Sequence, residues 1–137
     1  MKKIEKGKNV YYTIEWSDFT KYDRHAASRV LPELPGIVFF AEKKQSQQRP
    51  LLCYATWREG LRSGMKDLFD ENFSKFPKTA KLITERSLYF RYCVVDTDKK
   101  DLLDVLYWLI KNYQPEFNNV PEAKDSGRYS DIFLNEL

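Results

Sequence analysis

The period of the hydrophobic positions changes along the chain, and each change marks an element. Residues 9–16 (Asn-Val-Tyr-Tyr-Thr-Ile-Glu-Trp) alternate with period two, which puts Val10, Tyr12, Ile14 and Trp16 on one face of a strand. Ser17-Asp18 marks a turn, and Asp23–Arg29 predicts a short helix that Pro32 and Pro35 end. Gly36-Ile-Val-Phe-Phe-Ala-Glu42 reads as a buried strand. Lys43 to Pro50 is a polar connection of hairpin length, and Leu51–Ala55 is a second strand, so the two are expected to pair antiparallel. Thr56-Trp57-Arg58-Glu59 has the form of a capping box, in which hydroxyl and carboxylate satisfy each other's helix-start amides. It predicts a helix from Trp57 to Asn72 with Leu61, Met65, Leu68 and Phe69 on one stripe, weakened in its first turns by Gly60 and Gly64.

Past Pro77 a short helix is expected over Thr79–Thr84. Ser87–Asp96 is the clearest strand, with Leu88, Phe90, Tyr92 and Val94 on one face. The clearest helix is Lys99–Tyr113. Its Leu102, Val105, Leu106, Leu109, Ile110 and Tyr113 recur at three and four residues, Asp98 stands as its cap, and Pro115 prevents continuation. Ser130–Leu137 is expected to dock as a last helix or strand. The order predicts an α+β domain with a small, mostly antiparallel β-sheet flanked by helices.

Composition changes this picture little. At 137 residues, with 42% hydrophobic and 31% charged positions, the chain is expected to be one soluble domain with a proper core. No apolar run is long enough to span a membrane, and no apolar stretch follows the basic start as a signal peptide requires, so a cytoplasmic location is expected. Cys53 and Cys93 lie in apolar strand-like runs and read as buried free thiols. His25 is the single histidine, glycines are scattered rather than gathered into a phosphate-cradling loop, and no Cys/His metal spacing occurs. Charge is uneven: residues 1–66 hold 13 Lys/Arg against 7 Asp/Glu, and residues 101–137 hold 3 against 7. A basic half suits a phosphate backbone or another acidic partner.

Residues 106–118 read Leu-Tyr-Trp-Leu-Ile-Lys-Asn-Tyr-Gln-Pro-Glu-Phe-Asn, and Gly36-Ile37-Val38 follows Leu34-Pro35. The first segment resembles the closing motif of the GIY-YIG nuclease superfamily, Glu-x-x-Leu-Ile-x-x-Tyr-x-Pro-x-x-Asn, at Leu109, Ile110, Tyr113, Pro115 and Asn118. The second resembles its Gly-Ile-Tyr motif with Val38 in place of tyrosine. The element order from Gly36 to Asn118 is also similar to that of the superfamily. This divides the single domain, 1–137, into a GIY-YIG-like core at about 34–119, an N-terminal extension 1–33 and a tail 120–137. The Tyr-Ile-Gly motif finds its tyrosine in Tyr54 if the following loop is short; a gapless alignment that keeps Arg62 on the superfamily's arginine puts Leu52 there instead. Arg58 and Arg62 are both candidates for that arginine.

The resemblance implies hydrolysis in which a tyrosine helps deprotonate water, an arginine stabilises phosphate and a glutamate holds a divalent cation. Tyr54 and Arg62 stand for vestiges of the first two roles. The glutamate falls on Leu106, which cannot ligate Mg²⁺. Asp104 and Asp101 lie off its side of the helix, Glu42 and Glu59 are the carboxylates another element could bring, and Leu106 itself is expected in the core. Val38, Leu106 and Asn118 thus mark a former site, with Asn118 expected to close the turn at Pro115. The expectation is a catalytically degenerate domain acting as a nucleic-acid-binding or accessory module, without metal or cofactor. DNA or RNA would be held by Arg58, Arg62, Lys66, Lys43, Lys44 and Arg49, the first three forming one exposed ridge on the capped helix, with the acidic tail facing away. The alternatives are a protein-interaction or regulatory subunit that keeps only the scaffold, and an active Mg²⁺-dependent endonuclease with a relocated metal ligand. No membrane partner is expected.

Overall fold

The computed structural model describes residues 1–70, 72 and 74–137. The elements are β1 (Lys2–Lys6), β2 (Asn9–Ile14), β3 (Thr20–Lys21), α1 (Arg24–Val30), β4 (Gly36–Lys44), β5 (Gln47–Thr56), α2 (Leu61–Phe69), α3 (Pro77–Thr84), β6 (Leu88–Val94), α4 (Lys99–Tyr113) and β7 (Asp131–Glu136). The fold is α+β, with two sheets. One has four antiparallel strands in the order β3-β6-β4-β5; the other has three in the order β1-β2-β7, with β2 and β7 parallel. No helix is long and apolar enough to cross a membrane among the described residues.

The four-stranded sheet is buried on both faces because β4 is apolar without interruption from Gly36 to Ala41, as a central strand requires. Val38 and Phe40 point to one side, where they pack with Leu61, Met65 and Leu68 of α2, Ala27 of α1 and Ile83 of α3. Ile37, Phe39 and Ala41 point to the other, against Leu102, Val105, Leu109 and Ile110 of α4. The same cluster takes in Val10, Tyr12 and Ile14 from the second sheet, so α4 is held between two sheets. Extension and tail therefore share the core of the central segment.

The antiparallel pairing of β4 and β5 is as the pattern predicted, but both strands are longer: Lys43, Lys44 and Gln47–Pro50 extend the ladder, and only Gln45-Ser46 turns. The helix expected over Trp57–Asn72 is shorter, and its residue 71 lies outside the described residues. The capping box does not form. Thr56 is the last residue of β5, opposite Gly36, and Gly60 with φ of 82° is the N-cap, which makes no side-chain cap bond. A left-handed backbone there favours glycine. The cap comes from elsewhere: the Glu33 carboxylate accepts from the Ser63 amide at 2.8 Å, and its hydrogen bonds with Ser63 hold it below the usual carboxylate range. Asp98 does cap α4, accepting from the Lys100 amide at 2.6 Å. The tail becomes a strand, β7, rather than a helix. Cys53 and Cys93 are buried free thiols, and burial pushes the Cys93 thiol up to about 12.

Candidate phosphate-binding grooves and the buried carboxylate cluster

β5 is an edge strand, and its C-terminal end leads through Trp57–Gly60 directly into α2. Close approach at this corner depends on Gly64. A Cβ there would stand 2.0 Å from Cγ2 of Thr56, so only glycine lets α2 lie against the strand end. Between this corner and α4 opens a cleft of about 780 Å³. Tyr54, Arg58, Glu59 and Asp67 line one side, Lys75 and Phe76 another, and Lys99, Leu102, Leu103 and Leu106 of α4 the third. Burial, then the charges of Glu59 and Asp67, push the Tyr54 phenol above its ordinary value.

Several sequence-predicted site residues meet here. Tyr54, not Leu52, sits in the cleft, directly opposite Val38 in the β4–β5 register, while Leu52 is buried in the core. Leu106 shares the cleft with Tyr54 and Arg58. It is half-buried and packs against the core from the cleft wall, which corrects its assignment to the interior. Val38 is fully buried.

The remaining candidates lie elsewhere. Arg62 does not line the cleft; its guanidinium Nε donates to the Leu31 carbonyl at 3.0 Å and ties α2 to the end of α1. Because α2 begins only at Leu61, Arg58 is outside it, and the expected ridge of Arg58, Arg62 and Lys66 does not exist. Lys66 is exposed on α2. Lys43, Lys44 and Arg49 lie at the opposite end of the hairpin, far from Arg58. Lys43 sits over the Phe19 ring at 4.1 Å, Lys44 is 3.9 Å from Glu42, and Arg49 pairs with Glu116 at 3.0 Å. The six cations form no single patch.

Asn118 does not close the Pro115 turn with its side chain. Its Oδ1 accepts from the Cys53 amide at 2.8 Å and its Nδ2 donates to the Cys53 carbonyl at 3.1 Å, imitating a neighbouring strand on the open edge of β5. Of the carboxylates another element could bring, Glu42 is engaged by Arg86 at 2.7 Å, and only Glu59 reaches the cleft. Among the described residues no group of three or more His, Cys, Asp or Glu side chains is placed to hold a metal ion.

Sequence reasoning missed two features. The first is a second groove of about 870 Å³, beside α3, lined by Arg24, Lys78, Lys81 and Asp70 and sharing Ser74 with the cleft. The three-residue spacing of Lys75, Lys78 and Lys81 was the available signal. The second is a buried polar cluster on the far side of α4. The Tyr12 hydroxyl donates to Asp104 at 2.8 Å with Asp101 at 3.1 Å; one Arg128 Nη2 lies 2.9 Å from each carboxylate. Lys3 Nζ is 2.9 Å from Asp101, Thr97 donates to Asp101 at 2.7 Å, and the Ser126 amide donates to Asp104 at 2.8 Å. Asp101 and Asp104 are thus saturated by the two ends of the chain and are unavailable to the cleft.

A family model described as "Uncharacterised protein" matches residues 1–137, and the chain belongs to that family. No curated protein and no solved structure matches it.

Proposed function

We propose that this chain is a GIY-YIG-like domain without hydrolytic activity, and that its two adjoining grooves hold the phosphate backbone of a nucleic acid. The reading is carried by six cations along those grooves, Arg58, Lys75 and Lys99 in one and Arg24, Lys78 and Lys81 in the other. None makes an ion pair within the chain among the described residues. Three carboxylates, Glu59, Asp67 and Asp70, share the grooves, so the lining keeps an excess of positive charge. The order β4, β5, α2, α3, β6, α4 agrees with the resemblance and supports it.

Flexible lysines and arginines at a groove surface suit phosphate contacts, which position a duplex or strand without reading its bases. The chemistry of hydrolysis lacks its parts. Leu106 offers no oxygen to a metal, and a tyrosine whose phenol is pushed up accepts a proton from water only at strongly alkaline pH.

The test is fluorescence anisotropy with labelled DNA and RNA, single- and double-stranded, at two salt concentrations. The expected result is sequence-independent binding that falls steeply with salt and is lost in Lys75→Ala/Lys78→Ala/Lys81→Ala, but kept in Lys43→Ala/Lys44→Ala/Arg49→Ala. Binding weaker than about 100 μM at low salt, the weak end of non-specific association, counts against the proposal. The cleft rim also exposes Phe76 and Leu103, by 54% and 41%, which favours a protein partner as the second reading if nucleic acid fails to bind.

A further inference from the structure

The three-stranded sheet has one face on α4 and one face open. Strand alternation places Lys2, Ile4 and Lys6 of β1, Asn9, Tyr11 and Thr13 of β2, and Asp131, Phe133 and Asn135 of β7 on the open face. Cross-strand registers arrange these as three rows: Lys6–Asn9–Asp131, Ile4–Tyr11–Phe133 and Lys2–Thr13–Asn135. The middle row is apolar, yet Ile4 is 56% exposed, Tyr11 38% and Phe133 45%. An apolar row across a whole sheet, rimmed by polar rows, marks a covered surface.

We propose that a second copy of this chain covers it, in a two-fold dimer whose axis runs parallel to the strands. That operation exchanges β1 with β7 and leaves each row facing itself. Ile4 then meets the partner's Phe133 and Lys6 meets the partner's Asp131, each contact made twice, and Tyr11 meets the partner's Tyr11 once, on the axis. Lys6 and Asp131 make no ion pair within the chain among the described residues, so each has its charge free for the other copy. Strand directions are preserved, which is the aligned packing two twisted sheets prefer.

Two observations favour a second copy over a stacked nucleic-acid strand on this face. The Tyr11 and Phe133 rings already lie on each other, 4.8 Å apart at 12°, and Lys6 Nζ stands 5.5 Å over Tyr11, so both faces of the tyrosine ring are occupied. The charges on the face are also of both signs, where a polyanion calls for one. The patch is small. Three strands about 4.8 Å apart and five residues long give roughly 15 by 17 Å in plan, below a standard interface, so a dissociation constant of about 10–100 μM is expected. This dimer stands apart from the nucleic-acid reading, whose grooves lie on other elements.

Sedimentation equilibrium of the full chain over a concentration series tests it. A concentration-dependent dimer is expected, abolished by Phe133→Glu. Lys6→Asp alone and Asp131→Lys alone should each weaken it about tenfold, and the double exchange should restore it, since two like charges become an opposite pair again. All three positions are exposed, and circular dichroism checks that each of the four variants is folded. A chain that stays monomeric at several times the expected dissociation constant overturns the proposal. So does a dimer indifferent to Phe133→Glu, or a double exchange no tighter than the single ones.

Discussion

The two sides of α4 use charge in opposite ways. Toward the β1–β2–β7 sheet the helix presents Asp101 and Asp104, buried and saturated by Lys3, Tyr12, Thr97, Ser126 and Arg128. Toward the cleft it presents Leu102, Leu103 and Leu106, with Lys99 at the start. The superfamily resemblance asks for a carboxylate on the second side, and this chain keeps its helix carboxylates on the first. Burying two acids costs several kcal/mol of desolvation each, so such a cluster adds little net stability over an apolar packing. What it fixes is position. Its donors come from β1, β2 and the segments on either side, so the N- and C-terminal parts of the chain dock on α4 together. The carboxylate side is structural and intolerant of loss; the leucine side borders solvent and should tolerate change.

The largest expected effect tests that asymmetry directly. Arg128→Ala removes the cation shared by two buried carboxylates and should cost about 3 kcal/mol, because an uncompensated charge is left behind. Arg58→Ala, an exposed cation on the cleft rim, should stay within about 0.5 kcal/mol of wild type. Urea unfolding of both variants measures the gap. Equal midpoints would mean that the cluster carries no structural weight and that the two sides of α4 are alike.

Acid titration gives the next effect. Burial pushes the Asp101 carboxyl up, but hydrogen bonds from Lys3, Thr97, Arg128 and Tyr12 prevail and hold it at about 2. An unfolded aspartate titrates near ~3.9. The folded state therefore binds this proton more weakly, so the contribution is whole above about pH 4 and is lost as pH falls toward the folded value, at about 2–3 kcal/mol in total. Asp101→Asn should be less stable than wild type at neutral pH, with the difference shrinking between about pH 4 and pH 2. Parallel curves across that range would show that the carboxylate titrates as it does in the unfolded chain.

The elements read correctly from the sequence are those whose own periodicity states their burial. β4, β6 and α4 each carry enough apolar positions to declare both type and face, and Asp98 caps α4 as read. β1 escaped because Lys-Lys-Ile-Glu-Lys has one apolar residue; the strand exists through the Gly7 turn, where φ is 60°, and pairing with β2. The tail reads from sequence only as helix or strand, and β7 is fixed by a partner, β2, at the other end of the chain, since non-local pairing leaves little local trace. At Thr56 two signals competed, and strand pairing with Gly36 prevailed over the capping box. That one displacement moved Arg58 off the helix and dissolved the ridge inferred from i, i+4 spacing. Tyr54, Arg58 and Leu106, which the resemblance named, do line one cleft. The spacing of Lys75, Lys78 and Lys81 alone does not gather them with Lys99 and Arg24, because the grooves they line are made by the packing of α1, α2, α3 and α4.

Leu106→Glu should have a small effect and bears most on the comparison. In a sealed core the new carboxylate would lose its water and cost several kcal/mol. Leu106 instead lines an open cleft and is only half-buried, so the carboxylate keeps its hydration and the loss should be about 1 kcal/mol of apolar contact. Asp104→Leu, the reverse exchange on the other side of α4, takes from Arg128 and Tyr12 one of their two carboxylates, leaves the Ser126 amide unpaired and should cost more than twice as much. Thermal melts of the two variants side by side measure both. The Leu106→Glu variant also brings a third carboxylate to the cleft that holds Glu59 and Asp67, so added Mn²⁺ should raise its melting temperature relative to wild type through linkage. A Leu106→Glu protein as damaged as Asp104→Leu would place Leu106 in the core after all and remove the distinction between the two sides.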